Sequence, residues 1–526
     1  MLIDLEKNEL PADLKADVIV AGAGAVGLSM AVDLVRRGSK VVLLEAGPSR
    51  FEKKSQEFFE TATWQGHHLE GLHVGRRRSL GGTTTAWPGQ LVRFDPIVFE
   101  HRPWVSELSW PISRATLDPF YARAFDLLGL QKNMEDDEVW RELKLATPDF
   151  GEDVEMFLTR WTPEPNFATL FKKEIEQHPN LTVVLNAPVT SLAQGSDEKT
   201  IEEVVVRRLD GKTQRLKARR IVLANGTVEI VRLLSLPLAD GARAPWSENA
   251  CLAHGFTDHV DAYAGTVTPI DKKRFHQSFD NIMLRGLKYA PKVKLSGAGQ
   301  RRHEMLGIAA QFLFHSSHKD DLDKLKLPVK ALLNGRIDKR TLTIPGLVLP
   351  LAKIALPMTT RYLLHKRAFN LPDRGIQLRI HTEQSPLKES RLTLRQERDA
   401  FGIPLVDVNW QIDGAQLETM ARFCEMIAES FKARGLAQVD IDPRLVARDQ
   451  SFLNDIDDGN HQMGMARMGA TPADGVVDAD LKVFGTENLY VAGAAVFPTT
   501  GFENPTFTAI TLGLRLSDHL IAKGTA

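Results

Sequence analysis

A glycine-rich turn is the first place where residue type and spacing in this chain point to chemistry. Gly22-Ala-Gly24-Ala-Val-Gly27 follows directly on the apolar run Asp17-Val-Ile-Val-Ala21. In that order Gly22 permits a tight turn, Gly24 lets the backbone approach a pyrophosphate, and Gly27 lets a helix pack closely on the strand. The helix that begins there aims its N-terminal N–H groups and the positive end of its dipole at the phosphates. Glu45 stands 18 residues beyond Gly27, where a carboxylate accepts hydrogen bonds from ribose hydroxyls. The chemistry is dinucleotide binding. A 2′-phosphate would be repelled by Glu45, which argues against NADP and leaves NAD and FAD open. A glycine turn serving packing alone is the competing reading of the same residues.

The elements that must position this turn are legible around it. Leu28, Ala31, Val32 and Val35 recur at helical spacing, Arg36-Arg37-Gly38 closes the helix, and Lys40-Val-Val-Leu-Leu44 is a second buried strand ending at Glu45. Far downstream, Leu181-Thr-Val-Val-Leu185, Glu203-Val-Val-Val-Arg-Arg-Leu209 with the turn Asp210-Gly211-Lys212, and Arg219-Arg-Ile-Val-Leu-Ala-Asn-Gly226 read as strands, with a helix from Val228 to Leu234. Strand, hairpin, strand and helix complete a doubly wound sheet begun upstream, so the nucleotide domain is predicted to be discontinuous. A last piece closes it: Asn488-Leu-Tyr-Val-Ala-Gly493 is a buried strand, and Asn504-Pro505-Thr506 opens an apolar helix through Ile510, Leu514 and Leu516. Asn504 suits the N-cap and Pro505 the first helical position. That helix start directs positive potential toward the Gly493 strand end, a suitable place for the negative charge of a reduced flavin.

Composition narrows the class. The chain has 526 residues, 43% hydrophobic and 25% charged, as expected of a globular protein with a large core. Its 66 basic and 67 acidic side chains leave a net charge of −1, with no basic excess to suit a nucleic acid or an anionic membrane. Two cysteines, Cys251 and Cys424, exclude a disulfide scaffold and cysteine-ligated zinc or iron–sulfur sites. Cys424 sits in an apolar helical stripe with Leu417, Met420, Ala421, Ile427, Ala428 and Phe431, which reads as core. His67, His68 and His73 lack the carboxylate pattern of a closed metal site, and no metal is expected. Residues 1–10 carry no signal-peptide pattern, and the run Val18–Leu34 is broken by small residues and Asp33. The apolar run Ile344–Pro357 contains Pro345, Pro350 and Lys353 and is too short to cross a bilayer. It reads as a buried or lid segment; the basic residues Arg361, His365, Lys366 and Arg367 that follow leave a surface patch or subunit contact as the alternative. A cytoplasmic protein without a transmembrane segment is predicted, with oligomerisation open.

Taken together, the motifs resemble the glucose–methanol–choline (GMC) FAD-dependent oxidoreductases. The likeness spans nearly the whole chain in five landmarks: the N-terminal glycine fingerprint; Gly81-Gly82-Thr83-Thr84-Thr85-Ala86-Trp87; His254-Gly-Phe-Thr-Asp-His259; Glu383-Gln384 with Ser390-Arg-Leu-Thr-Leu394; and His461-Gln-Met-Gly464-Met-Ala-Arg-Met-Gly469 followed by Asn504-Pro505-Thr506. Within the family, Trp110-Pro-Ile-Ser113 and Asp118-Pro-Phe-Tyr121 look most like the branch of pyranose and glycoside oxidases and bacterial sugar dehydrogenases.

The resemblance implies an α/β fold (α+β overall). A discontinuous Rossmann-like FAD-binding domain would be formed by residues 1–50, 180–254 and 476–526. Residues 51–179 would form a flavin-flanking loop and connecting region. A substrate-binding domain, 255–475, would carry an antiparallel sheet backed by helices. It implies FAD contacts at Gly22, Gly24, Gly27, Glu45, Gly81, Gly82, Thr83, Trp87, Val189, Gly226, Gly493, Ala494, Asn504, Pro505 and Thr506. His461 would be the base that takes the hydroxyl proton, and Asn504, 43 residues later, would hold the substrate oxygen. In pyranose oxidases the position matching Ala86 is a histidine bonded to the flavin; alanine has no nucleophile, so FAD is expected to be noncovalent.

For the substrate domain, Leu378-Arg-Ile-His-Thr-Glu383, Ser390–Leu394 and Leu405–Trp410 read as sheet strands, and the Lys- and Arg-rich stretch 272–374 as a variable lid. Gln311, His381, Glu383 and Gln384 are candidate contacts to a polyhydroxyl substrate. The leading expectation is oxidation of a sugar or glycoside CH–OH to a ketone or aldehyde, with oxygen or an external acceptor receiving the electrons. A non-sugar alcohol is the alternative substrate, and a flavin-binding scaffold without turnover is the alternative of another class.

Overall fold

The computed structural model describes residues 1–524 except 12–13, 319, 321–323, 325–356 and 369. Nearly all of the apolar run 344–357 therefore lies outside the described residues.

Three sheets organise the described chain. The first joins β1 (Leu2–Asp4), β2 (Ala16–Ala21), β3 (Val41–Leu44), β7 (Leu181–Leu185), β8 (Val189–Gln194), β9 (Ile201–Arg207), β10 (Thr213–Leu223) and β20 (Leu489–Val491). Its order is β1-β7-β3-β2-β10-β9-β8, with β20 also on β10. The long strand β10 serves two structures. Residues 213–217 pair antiparallel with β9, while 218–223 run parallel to β2 and β20. The strands of the parallel part are continuous Val, Ile and Leu because helices cover both faces, as in doubly wound folds. Helix α1 (Ala25–Arg36) follows β2, α2 (Thr227–Leu234) follows β10, and α4 (Pro505–Ala522) packs on α1. Gly513 permits that packing, since a Cβ there would lie 2.8 Å from Met30.

The second sheet has nine antiparallel strands in the order β18 (Ala437–Ile441), β11 (Val260–Pro269), β15 (Ile376–Thr382), β14 (Ile308–Phe314), β13 (Leu287–Leu295), β6 (Val154–Trp161) and β5 (Gln90–Leu91). Two short strands, β12 (Ile282–Leu284) and β19 (Asp457–Asp458), pair with β13 and β11. Helix α3 (Gly414–Ala433) packs on one face of this sheet, with Cys424 fully buried in its apolar stripe. The third sheet joins β4 (Thr63–Gly66), β16 (Arg391–Arg398) and β17 (Pro404–Trp410).

Three sequence expectations are corrected here. Segments 390–394 and 405–410 do form strands, but they pair with β4 rather than with the substrate sheet. Strands 90–91 and 154–161 lie in the region read as connecting chain and extend the substrate sheet through β13. Within the stretch read as a lid, 287–295 and 308–314 are interior strands. Each case turns on pairing between segments distant in sequence, which local patterning does not encode.

Candidate active site

The parallel strands β2, β3, β10 and β20 end at one edge of the first sheet, and the residues that follow them line a common cavity. Its walls include residues 21–26, Glu45, residues 82–84, Trp87, Val189, Gly226, Gly493, Ala494, Pro505 and Thr506. Gly22 has φ +104°, and a Cβ there would press on Ala224 O and Asn225 Cα at 2.5 Å. Gly24 faces open space, so a side chain at this position would project into empty volume. Gly82 packs against it: a Cβ on Gly82 would lie 2.9 Å from Gly24 Cα. Gly27 stands behind the wall, where a Cβ would fall 1.8 Å from Gly22 O, so it serves helix-on-strand packing. Gly81 likewise shapes its loop, with a Cβ position hemmed in by Thr85, Asn166 and Ala168.

The cavity is built for an anionic ligand with polar ends. Helices α1, α2 and α4 all begin on it, and none of their N-cap residues Gly24, Gly226 and Asn504 supplies a side-chain cap. Helix N-terminal N–H groups left in this way are anion sites. The lining also includes Asn225 and Gln462, whose buried Oδ1 and Nε2 have no hydrogen-bond partner in the protein. Glu45 accepts from the backbone N–H of Gly47 at 2.8 Å and of Ala23 at 3.1 Å. Burial pushes its carboxyl up to about 7 against those two hydrogen bonds. These residues fit FAD: N–H groups for the pyrophosphate, a carboxylate for the ribose and unsatisfied amides for a heteroaromatic edge.

Beside the cavity, His461 lies between two side chains from distant parts of the chain. Its Nδ1 is 2.8 Å from Nδ1 of His259, and its Nε2 is 2.9 Å from Nδ2 of Asn504. Nε2 of His259 is 2.7 Å from the carbonyl of Gly501. A carbonyl only accepts, so His259 Nε2 carries the proton and, in the neutral ring, Nδ1 is bare. His461 Nδ1 must then donate, which leaves the lone pair of His461 on Nε2. Asp258 fixes the backbone of this pair, accepting from the N–H groups of His259, His461 and Gly459 at 2.7, 2.8 and 3.0 Å. Burial, reinforced by His381, pushes the His461 imidazole down to about 3, and burial holds His259 well below the ordinary histidine range. Both rings are therefore neutral at physiological pH. Asn504 occupies the N-cap position expected of it, but its amide bonds His461 instead of capping the helix.

Residues 386–513 match the family model described as GMC oxidoreductase. Paromamine 6'-oxidase of Streptomyces fradiae is 23% identical over 97% of this chain and 93% of its own length. The fructose dehydrogenase large subunit of Gluconobacter japonicus is 22% identical over 97% and 98%. The crystal structure of formate oxidase superposes with a TM-score of 0.57 at 17% identity, covering 98% of this chain and all of that one, and so shares its fold. Residues 386–513 thus carry GMC oxidoreductase sequence, and the full-length relatives extend the likeness over nearly the whole chain. FAD is the cofactor of this family.

The nine-stranded sheet turns a polar face toward His461. Alternation and register place Lys292, Gln311, Arg379, His381 and Asp261 on it. The His381 ring lies 4.8 Å from that of His259 and 6.2 Å from that of His461, with its Nδ1 2.8 Å from Asp261. Asp261 also pairs with Arg379, and the adjacent charges hold its carboxyl far below the ordinary range despite burial. His381 and Gln311 stand on this face, both half-buried.

Glu383 and Gln384 do not. Both are fully buried one step past the end of β15. Glu383 forms a two-pronged ion pair with Arg102 at 2.6 and 3.0 Å. Gln384 Oε1 accepts from Trp410 Nε1 at 2.8 Å and from the N–H of Asp258 at 3.2 Å. They support the site from behind and face no substrate. Sequence reasoning assigned no role to His259, Asp258, Asp261, Lys292 or Arg379. One signal was present: Lys288, Lys292 and Lys294 share a parity opposite Tyr289, Val293 and Leu295, the period of a strand with one polar face.

No helix among the described residues is long and apolar enough to cross a membrane.

Proposed function

We propose that this enzyme oxidises a CH–OH group of a sugar or glycoside to a ketone or aldehyde, with His461 as the base and Asn504 as the group that holds the reacting oxygen. The observation that carries the reading is the one unprotonated nitrogen of His461, Nε2, whose lone pair accepts from the Asn504 amide at 2.9 Å and is the only site of the ring open to a substrate proton. A substrate hydroxyl placed between them gives its proton to Nε2, while the Asn504 N–H steadies the oxygen as it gains negative charge. Bound FAD supplies the hydride acceptor. Residues 22–27, Glu45, the 82–87 loop and the starts of α2 and α4 hold that cofactor, and the segments 1–50, 180–254 and 476–526 form its domain. Residues 255–475 cover the substrate, joined by β5 and β6.

The half-buried polar sheet face beside His461 suits a polyhydroxyl substrate, and the relative named for fructose supports the same class. Oxygen or an external acceptor then takes the electrons.

The test is anaerobic titration of the oxidised holoenzyme with sugars, glycosides and simple alcohols while following the flavin band. Bleaching by sugars or glycosides supports the reading, and admitting air afterwards separates an oxidase from a dehydrogenase. Bleaching by simple alcohols alone would replace the substrate class, and a protein that cannot be loaded with FAD would remove the reading altogether.

A further inference from the structure

Lys292 is a cation facing the site without a counter-charge of its own. It is half-buried on β13, directly opposite Phe157 of β6. The Phe157 ring lies 5.3 Å from that of Phe502, two residues before Asn504, so this part of the sheet closes over the catalytic segment. The other charges nearby are accounted for. Asp261 is shared between Arg379 and His381, and Lys294 pairs with Asp95 and, at 3.4 Å, with Glu155. Among the described residues Lys292 has neither a hydrogen bond nor an ion pair, and Asp261 and Arg379 act on it only through space, with opposite signs. Burial lowers its pKa to about 8, which leaves the ammonium charged at neutral pH.

Lys292 is also at a useful distance. Strand spacing of about 4.8 Å and a rise of about 3.4 Å per residue put its Cα about 12 Å from that of His381, two strands across and two residues along. A lysine side chain spans about half of that distance, so its ammonium and His461 can engage opposite ends of one small molecule. Both Lys292 and Arg379 lie close enough to His461 to depress its pKa.

We infer that Lys292 anchors an anionic group of the substrate, and that the alcohol oxidised here carries a carboxylate, as in sugar acids and uronosides. The inference rests on the proposed function, naming the substrate class within it. A single unmatched positive charge is neutralised by a monoanion, which favours a carboxylate over the dianion of a phosphate ester. The same charge repels substrates that carry an ammonium group.

The experiment is calorimetric titration of the anaerobic holoenzyme with methyl glucuronide, methyl glucoside and glucose 6-phosphate, the flavin band being followed in parallel. The wild type is expected to bind the glucuronide about tenfold to a hundredfold more tightly than the glucoside, the range of a charge-assisted hydrogen bond. Lys292→Met should erase that preference without weakening the glucoside, and Lys292→Arg should keep it. Equal binding of the two glycosides by the wild type, binding of neither, a uniform loss in Lys292→Met, or preference for the phosphate ester would each overturn the anchor. Preferential binding of the glucuronide with no bleaching by any member of the series would leave the anchor standing and remove the proposed function.

Discussion

His259 and His461 share a hydrogen bond of 2.8 Å between their Nδ1 atoms, and that bond decides which nitrogen of His461 can accept a proton. The direction is imposed from outside the pair by the Gly501 carbonyl, which accepts a hydrogen bond from the protonated Nε2 of His259. His259 therefore acts through His461 as a positioning residue. In His259→Ala the imidazole of His461 loses its fixed tautomer and its orientation, and flavin reduction by substrate should slow by about 10²-fold, the cost of a misplaced catalytic group. His259→Asn, whose Oδ1 can still accept from His461 Nδ1, should recover part of the rate. Rapid-mixing measurements check the assignment. Recovery in His259→Asn marks the hydrogen bond that His461 donates as the working contact, whereas an equal loss in both variants would mean a structural role only.

His461 itself carries a sharper expectation. His461→Ala removes the only proton acceptor assigned to the reaction, so the variant should bind FAD and lose substrate-driven flavin reduction by about 10²–10⁴-fold, the usual worth of a positioned base. Normal reduction in this variant would sink the assignment of the base.

The mode of FAD attachment follows from the 82–87 loop. Ala86 carries no nucleophile, and His461, whose Nε2 lone pair is turned to Asn504, is the one histidine among the residues that line the cavity. Acid precipitation of the holoenzyme should therefore leave yellow FAD in the supernatant and a colourless pellet. Colour retained in the pellet would mean a covalent bond.

How much of this was legible beforehand varies with the range of the interaction. The Gly22-to-Glu45 unit is local, so strand, turn, helix and terminal acid could be read from periodicity alone, and the reason for each glycine differs as the spacing suggested. The pairing of β6 with β13 joins residues more than 120 positions apart, and nothing in either segment names the other. Glu383 and Gln384 show a different limit. Polar residues at a strand end read as solvent- or ligand-facing, and only the arrival of Arg102 and Trp410 explains their burial. The tautomer of His461 lies furthest from the sequence, because it depends on a carbonyl of residue 501 reached through residue 259.

Arg102 and Glu383 give a test of that structural reading. Both are almost completely buried, and Arg102 also donates to the carbonyl of Thr500 at 2.8 Å, beside the catalytic segment. Glu383→Gln leaves a buried guanidinium without its counter-charge and should cost about 3–5 kcal/mol of stability. Replacing both residues by methionine should recover most of the loss, since the pair's desolvation cost nearly cancels its attraction. Chemical denaturation of the wild type and the two variants checks this. A Glu383→Gln protein of normal stability with impaired substrate binding would return Glu383 to the substrate site.

Glu503, next to Asn504, gives the chain a distinct response to pH. Its Oε1 accepts from the N–H of Asp95 at 2.8 Å, its buried Oε2 has no partner, and burial followed by the Asp95 charge pushes its pKa from 4.5 up to about 8. Between those two values the folded chain holds a proton that the unfolded chain releases. The contribution to stability is thus complete below pH 4.5 and is lost as pH rises toward 8, at up to about 1.4 kcal/mol per pH unit for one proton. His461 acts in the opposite sense at lower pH. Its folded pKa near 3 means that stability falls as pH drops below 6.5, because the unfolded chain takes up the proton first. Comparing wild type with Glu503→Gln isolates the first effect, since His461 and Glu45 titrate in both. The two melting temperatures should run together near pH 5 and separate from pH 6 to 8, the variant losing less. Parallel curves over that interval would show that Glu503 is ionised in the fold, and the proton on Oε2 would have to be abandoned.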